Sequence, residues 1–141
     1  MKRIFGFLMA VIVALSFTLA FAGLVVTPEH AKAVKDAHAL KDAGKYEEAA
    51  KVHPQSLCRA VYLLNAAAQV ISQEGENGQD SEGNYLYNNV TAKTKVQAEA
   101  LLDQVAVELK TPDEWGCDGT SKAKVEAWLK NMTKYLKDYK L

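Results

Sequence analysis

The chain has 141 residues and is formally neutral, with 17 Lys and Arg against 17 Asp and Glu. That balance excludes a strongly basic nucleic-acid binder, and the length suits one domain with a core of its own. Two cysteines and three histidines limit what thiols, imidazoles and metals can do here.

The chain opens on "MKR" and continues with an uncharged run, Ile4 to Ala22, that closes on Ala20-Phe21-Ala22. A basic start, an apolar core and small residues spaced A-x-A predict a secretory signal over residues 1–22. The competing reading is an uncleaved anchor, because the uncharged stretch runs on to Thr27 and is long enough to cross a bilayer. Both readings export residues after about 23, since Lys2 and Arg3 hold the start in the cytoplasm. No cysteine follows the cleavage site, which argues against a lipoprotein. Residues 23–141 are then expected to form a single helical domain in the periplasm or outside the cell, slightly acidic once Lys2 and Arg3 are gone.

Thr27 suits an N-cap and Pro28 the first helical position. Val34, Ala37 and Leu40 follow at helical spacing, and Gly44 stops the helix. In "AGKYEEAAKVH", Gly44, Tyr46 and Ala49 stand as they do between the two helices of a tetratricopeptide repeat. With no second copy at a fixed period, the segment predicts a helical hairpin and not a repeat array. His53-Pro54 breaks the pattern. A helix from about Gln55 to Gln73 carries Leu57, Val61, Leu64, Ala68 and Ile71 as a stripe, widened by Leu63, Ala67 and Val70. Arg59 is its one charge, so this helix is expected at the centre of a bundle.

"EGENGQDSEGN" has three glycines and four acids and predicts a flexible acidic loop over residues 74–84. It does not fit a calcium loop, because no placement of its glycines puts oxygen ligands at the first, third and fifth positions. "YLYNNV" reads equally as a short strand or a ragged helix start. From Thr91 to Lys110 the pattern is helical again, with Ala98, Leu101, Leu102, Val105 and Leu109 on one side. Thr111 to Glu114 has the form of a capping box. The last helix starts near Ser121; Val125, Trp128, Leu129, Met132, Leu136 and Tyr139 form its apolar face, and six lysines lie beyond Gly119. From Glu74 to Asp118 the chain carries ten acids and three lysines, so an acidic middle meets a basic tail, read as two solvated faces.

The two cysteines can be placed by following the helices. Cys58 heads the central helix, and in an up-and-down path the next helix descends to end near Lys110. Cys117 then lies in the lower connection, level with Cys58. An exported domain favours the disulfide, and two cysteines allow one intramolecular pairing. Such a closure contributes roughly 4 kcal/mol in the loop-entropy model. Redox use would show C-x-x-C, structural zinc would show paired ligands, and covalent haem would show C-x-x-C-H; none is present.

His30 and His38 lie about 12 Å apart along one helix and cannot share a metal. Asn89-Val90-Thr91 and Asn131-Met132-Thr133 match the glycosylation sequon, which matters only in a eukaryotic secretory path. The basic last helix could lie on a membrane, but its aromatic face fits packing on the domain's own core better. No G-x-S-x-G elbow, P-loop, Rossmann glycine pattern or H-E-x-x-H occurs, and no catalytic residue is nominated.

"LCRAVYLLNAAAQVI" and "GCDGTSKAKVEAWLKNMTKYLKDY" put one cysteine at the head of a helix and the other just before a lysine-rich terminal helix. This frame resembles that of the small periplasmic acid-stress chaperones, and also that of the helical immunity proteins that neutralise type VI amidase toxins. The resemblance implies an exported helical protein that binds other proteins, and in the chaperone case one that exposes apolar surface at low pH.

The expectation is therefore an all-α, up-and-down bundle of four to five helices closed by Cys58–Cys117. It is expected to be an exported, non-enzymatic protein-binding module of the cell envelope, without metal or cofactor. The expected partner is another envelope protein, with self-association into a homodimer as a further option; nucleic acid is not expected, nor membrane except through an uncleaved signal. The alternative is a small-molecule, haem or metal carrier with a pocket between bundle helices.

Overall fold

A computed structural model describes residues 27–72, 78–110, 117 and 119–141. The expected signal at 1–22, residues 73–77 of the acidic loop and the capping box at 111–114 lie outside the described residues. The described chain is all-α: α1 (Pro28–Asp42), α2 (Tyr46–Val52), α3 (Ser56–Val70), α4 (Ala92–Glu108) and α5 (Lys122–Asp138). Two units separate, Met1–Lys32 and Ala33–Leu141. The first holds the opening turn of α1, where Thr27 Oγ1 accepts from the His30 amide at 3.0 Å as an N-cap does. The second holds the bundle.

Gly44 adopts φ 77° just beyond α1. Its amide donates to the Lys41 carbonyl and the Lys45 amide to the Leu40 carbonyl, both at 2.9 Å. These two bonds make a Schellman ending, which satisfies carbonyls the helix leaves open and turns the chain into α2. The hairpin chemistry expected at "AGKYEEAA" is thus present. At the far end of α2, His53 is extended (ψ 133°) and Pro54 prevents continuation.

α3 is the core of the bundle. Ten of its residues are buried, including Leu57, Tyr62, Leu63 and Leu64, together with Ala60, Ala66, Ala67 and Ala68. Those alanines let α2, α4 and α5 come close, and α3 packs on all three. It ends at Val70, three residues earlier than the periodicity suggests, with Ile71 and Ser72 buried just past its end. Full burial of side chains such as Leu64 and Ile71 contributes about 1.5–3 kcal/mol each.

α4 runs antiparallel to α3. Arg59 at the start of α3 meets Glu108 at the end of α4, with Nε and Oε2 3.0 Å apart. Asn89, just ahead of α4, donates its amide to the Ile71 carbonyl at 2.9 Å. Thr91 caps α4 reciprocally: its Oγ1 accepts from the Thr94 amide at 3.1 Å, and its own amide donates to Thr94 Oγ1 at 2.7 Å. Threonine here fills the position that Glu or Gln takes in most capping boxes. Ser121 caps α5 through the Lys124 amide at 3.3 Å. Val125, Met132 and Leu136 of α5 are buried, with Trp128 and Leu129 packed beside them, so this amphipathic helix covers the core.

The disulfide joins Cys58 and Cys117, with Cα atoms 5.1 Å apart and a sequence separation of 59. Cys117 pairs with Thr120 through two backbone bonds of 3.0 and 2.9 Å, and Gly119 supplies the left-handed residue (φ 83°) in that turn. Among the described residues no helix is long and apolar enough to cross a membrane. A disulfide in this position points to an oxidising, exported environment.

Candidate interaction surface

Both cysteines are committed to the disulfide and buried, so neither is a nucleophile or ligand. Among the described residues no group of three His, Cys, Asp or Glu side chains could hold a metal. His30 and His38 do not come together. Instead His38 faces His53 across the hairpin, ring centroids 6.1 Å apart, and His53 sits edge-on to Tyr62 at 5.7 Å. His53 is buried, and its Nδ1 accepts from the Gln55 amide at 3.1 Å, which fixes the ring at the start of α3. Its carbonyl accepts from Arg59 at 3.1 Å. This cluster is a hinge pin between α2 and α3, made of parts the sequence shows only far apart.

The surface holds a different constellation. Ahead of α4, residues 78–90 run as an irregular strap. Gly78 (φ 79°) begins its described part so tightly that a Cβ there would collide with the Ser72 carbonyl oxygen. Residues 80–84 then close a turn. Asp80 Oδ1 accepts from the Glu82 and Asn84 amides, both at 2.9 Å. The Asn84 amide bond, with smaller help from those of Glu82 and Gly83, holds the Asp80 carboxyl below its ordinary 3.8. An isolated bridge pairs Gln79 with Tyr85. Neither a strand nor a helix start forms at "YLYNNV". Tyr87 takes φ 49°, a left-handed conformation that a bulky residue adopts only when its surroundings impose it. Here the buried Ser72 Oγ accepts the Tyr87 amide at 2.7 Å.

That kinked strap lays its tyrosines beside Tyr135 of α5 and Tyr139 just past its end. Tyr85 and Tyr87 stack nearly parallel, 6.4 Å apart and 8° between planes. Tyr87 meets Tyr135 at 5.2 Å, and Tyr135 meets Tyr139 at 5.7 Å. The four rings make a continuous row. Its inner end is anchored: Tyr85 Oη donates to Asn65 Oδ1 at 2.7 Å, and Asn65 Nδ2 donates to the Val61 carbonyl at 2.9 Å. Burial, followed by the neighbouring Tyr46, pushes the Tyr85 phenol far above its ordinary value. Burial also raises Tyr87, against a smaller opposing effect of the Trp128 hydrogen bond, and it raises Tyr135. The outer end is open, with Tyr139 36% exposed. Leu86 on the strap is 38% exposed and the C-terminal Leu141 69%. A hollow of about 420 Å³ beside Tyr135 and Tyr139 is bordered by Asn131, Lys134 and Asp138.

Aromatic rings that are half-buried, rigidly held and edged by charged groups have the make-up of a binding hot spot: large contact area and little entropy left to lose. The sequence reading found Tyr139 but missed the row. The signal was present as Tyr-x-Tyr at 85 and 87, two residues apart in extended chain, and as Tyr135 and Tyr139 one helical turn apart. Nothing in sequence showed that strap and helix would meet.

A second concavity, about 410 Å³, lies beside the disulfide and is lined by Lys41, Tyr46, Tyr62, Asn65 and Thr120 among others. The fold and the surface thus define a small disulfide-closed helical bundle with a surface tyrosine row. No protein-family model, curated protein or solved structure matches the chain.

Proposed function

We propose that this chain is an exported, non-enzymatic protein-binding module of the cell envelope, periplasmic or secreted, of the chaperone-like or inhibitor type. The observation that carries the reading is the tyrosine row of Tyr85, Tyr87, Tyr135 and Tyr139, preorganised by the strap and left open at one side. Tyrosine gives an interface large area and a hydrogen-bonding tip at low entropic cost. The disulfide supports export, and the two-cysteine helical frame is the ground on which the chain resembles acid-stress chaperones and amidase immunity proteins.

The test is site-specific photo-crosslinking in the native envelope. A benzophenone side chain at position 139 or 86 is expected to give discrete protein adducts, and one at the more exposed Val96 of α4 is not. Adducts of equal yield at all three positions, or none at 139 and 86, would refute the reading.

The carrier reading rests on the cleft beside the disulfide, whose mixed lining suits a small polar ligand. Protein purified from its native source and examined by mass spectrometry under non-denaturing conditions is expected, on that reading only, to carry a bound small molecule.

A further inference from the structure

We infer that Tyr87 and Tyr135 form an oxidative modification site, at which a one-electron oxidant couples the two rings into a dityrosine bond that ties the strap to α5. The inference stands on ring geometry within one chain and goes beyond the contact-surface reading. The bond would leave Tyr139 and Leu86 open to a partner.

The first argument is what else an oxidant would find. A disulfide-closed domain works in an oxidising compartment, where sulfur is the usual target. Here both cysteines are already spent in the disulfide. Of the three methionines, Met1 and Met9 fall in the expected signal, and Met132 is 2% exposed. Among the described residues the readily oxidised groups left at the surface are therefore aromatic, and they are gathered in one place. Four of the chain's six tyrosines stand in the row, and Trp128 is hydrogen-bonded to Tyr87.

The second argument is the spacing of the rings. Tyr87 and Tyr135 have the closest centroids in the row, at 5.2 Å. At that distance the ring edges lie close together, and phenoxyl radicals couple through edge carbons, those ortho to the oxygen. Tyr135 and Tyr139 are wider apart at 5.7 Å. Tyr85 and Tyr87 are wider still at 6.4 Å, and the Tyr85 phenol is committed to Asn65 at 2.7 Å. Ser72 holds the Tyr87 amide and Trp128 its phenol, so this ring stays beside its neighbour. Tyr135 is half-exposed and within an oxidant's reach.

The step balances with a peroxide as terminal oxidant. Each phenol gives up one electron to the oxidant and its hydroxyl proton to water. The two radicals join Cε to Cε. Each joined carbon then releases its proton and each oxygen regains one, which restores both aromatic rings. The peroxide O–O bond breaks as it takes up the two electrons and two protons. Two phenols and one hydrogen peroxide thus give one dityrosine and two waters.

Treatment of dilute purified protein with hydrogen peroxide and a haem peroxidase tests this. Mass spectrometry is expected to find the peptides of Tyr87 and Tyr135 joined, two hydrogens lighter than their sum, in protein that remains a single chain. The urea midpoint of the joined protein is expected to rise, because the new bond constrains the unfolded chain. Tyr87→Phe and Tyr135→Phe are each expected to lose the bond and Tyr139→Phe to keep it, with helical circular dichroism checking that all three fold. No dityrosine, links between molecules only, or a bond confined to Tyr135 and Tyr139 would overturn the inference. Native envelopes given the same reagents are expected to yield the same joined peptide, and its absence there would overturn the pair as a site of modification in the cell. None of these outcomes depends on a partner, so the contact-surface reading stands or falls separately on the crosslinks from positions 139 and 86.

Discussion

Single residues hold the strap in the shape that assembles the row. Gly78 combines a left-handed φ with a contact that leaves no room for a Cβ against the Ser72 carbonyl oxygen. Replacing it with alanine is expected to cost about 2–3 kcal/mol, from the backbone conformation plus the displaced strap. Urea denaturation checks the stability, and loss of near-UV dichroism from the tyrosines checks the strap. Gly83 has a similar φ of 88° but open space around its Cα, so alanine there should cost about 1 kcal/mol, from conformation alone. Tyr85 and Tyr87 give a pH signature. Their folded pKa values lie above the ordinary 10.0, chiefly through burial. The stability linked to them is fully present below pH 10.0 and falls as pH rises above it, because the unfolded chain releases protons that the folded chain retains. Stability measured from pH 8 to pH 11 is expected to decline, and less steeply in Tyr85→Phe. A parallel decline in parent and variant would contradict this placement of the ring.

The helices follow from local chemistry that sequence shows well. Thr27, Thr91 and Ser121 each cap a helix, Gly44 ends one, and His53-Pro54 separates two. These signals act over three to five residues, so no knowledge of the fold is needed to read them. What joins the elements is less visible. Arg59, the one charge on α3, donates to the His53 carbonyl at the end of α2 and pairs with Glu108 at the end of α4. Arg59→Ala is expected to cost about 1–2 kcal/mol, because a half-buried charge-assisted hydrogen bond and an ion pair are lost together. A double-mutant cycle with Glu108→Ala separates the two; coupling near zero would leave the His53 carbonyl bond as the main contribution. Periodicity identified α3 as central, but it left "YLYNNV" undecided. That segment is shaped by a tertiary hydrogen bond from the Tyr87 amide to Ser72 and not by any propensity of its own. The His38–His53 contact escaped for the same reason, since His38 lies on α1 and His53 is the extended residue just past α2.

At the scale of the whole molecule, the disulfide and the tyrosine row have separate tasks. The Cys58–Cys117 bridge ties the connection before α5 to the start of α3, and following the helices in sequence order was enough to place it. Its removal in a Cys58→Ser, Cys117→Ser protein is expected to cost about 3–4 kcal/mol, read as a lower urea midpoint. An unchanged midpoint would mean that the unfolded chain gains little freedom without the bridge. The row, by contrast, emerges only when the strap is folded back over the bundle onto α5, a contact between segments some fifty positions apart. It is the feature that gives this otherwise ordinary bundle a defined face. Nitration of tyrosines followed by peptide mass spectrometry tests that role most directly. Tyr139 and Tyr135 should react readily in dilute purified protein and be protected in intact native envelopes, where a partner covers them. Equal reactivity in the two settings would contradict the claim that this row is the protein's contact surface.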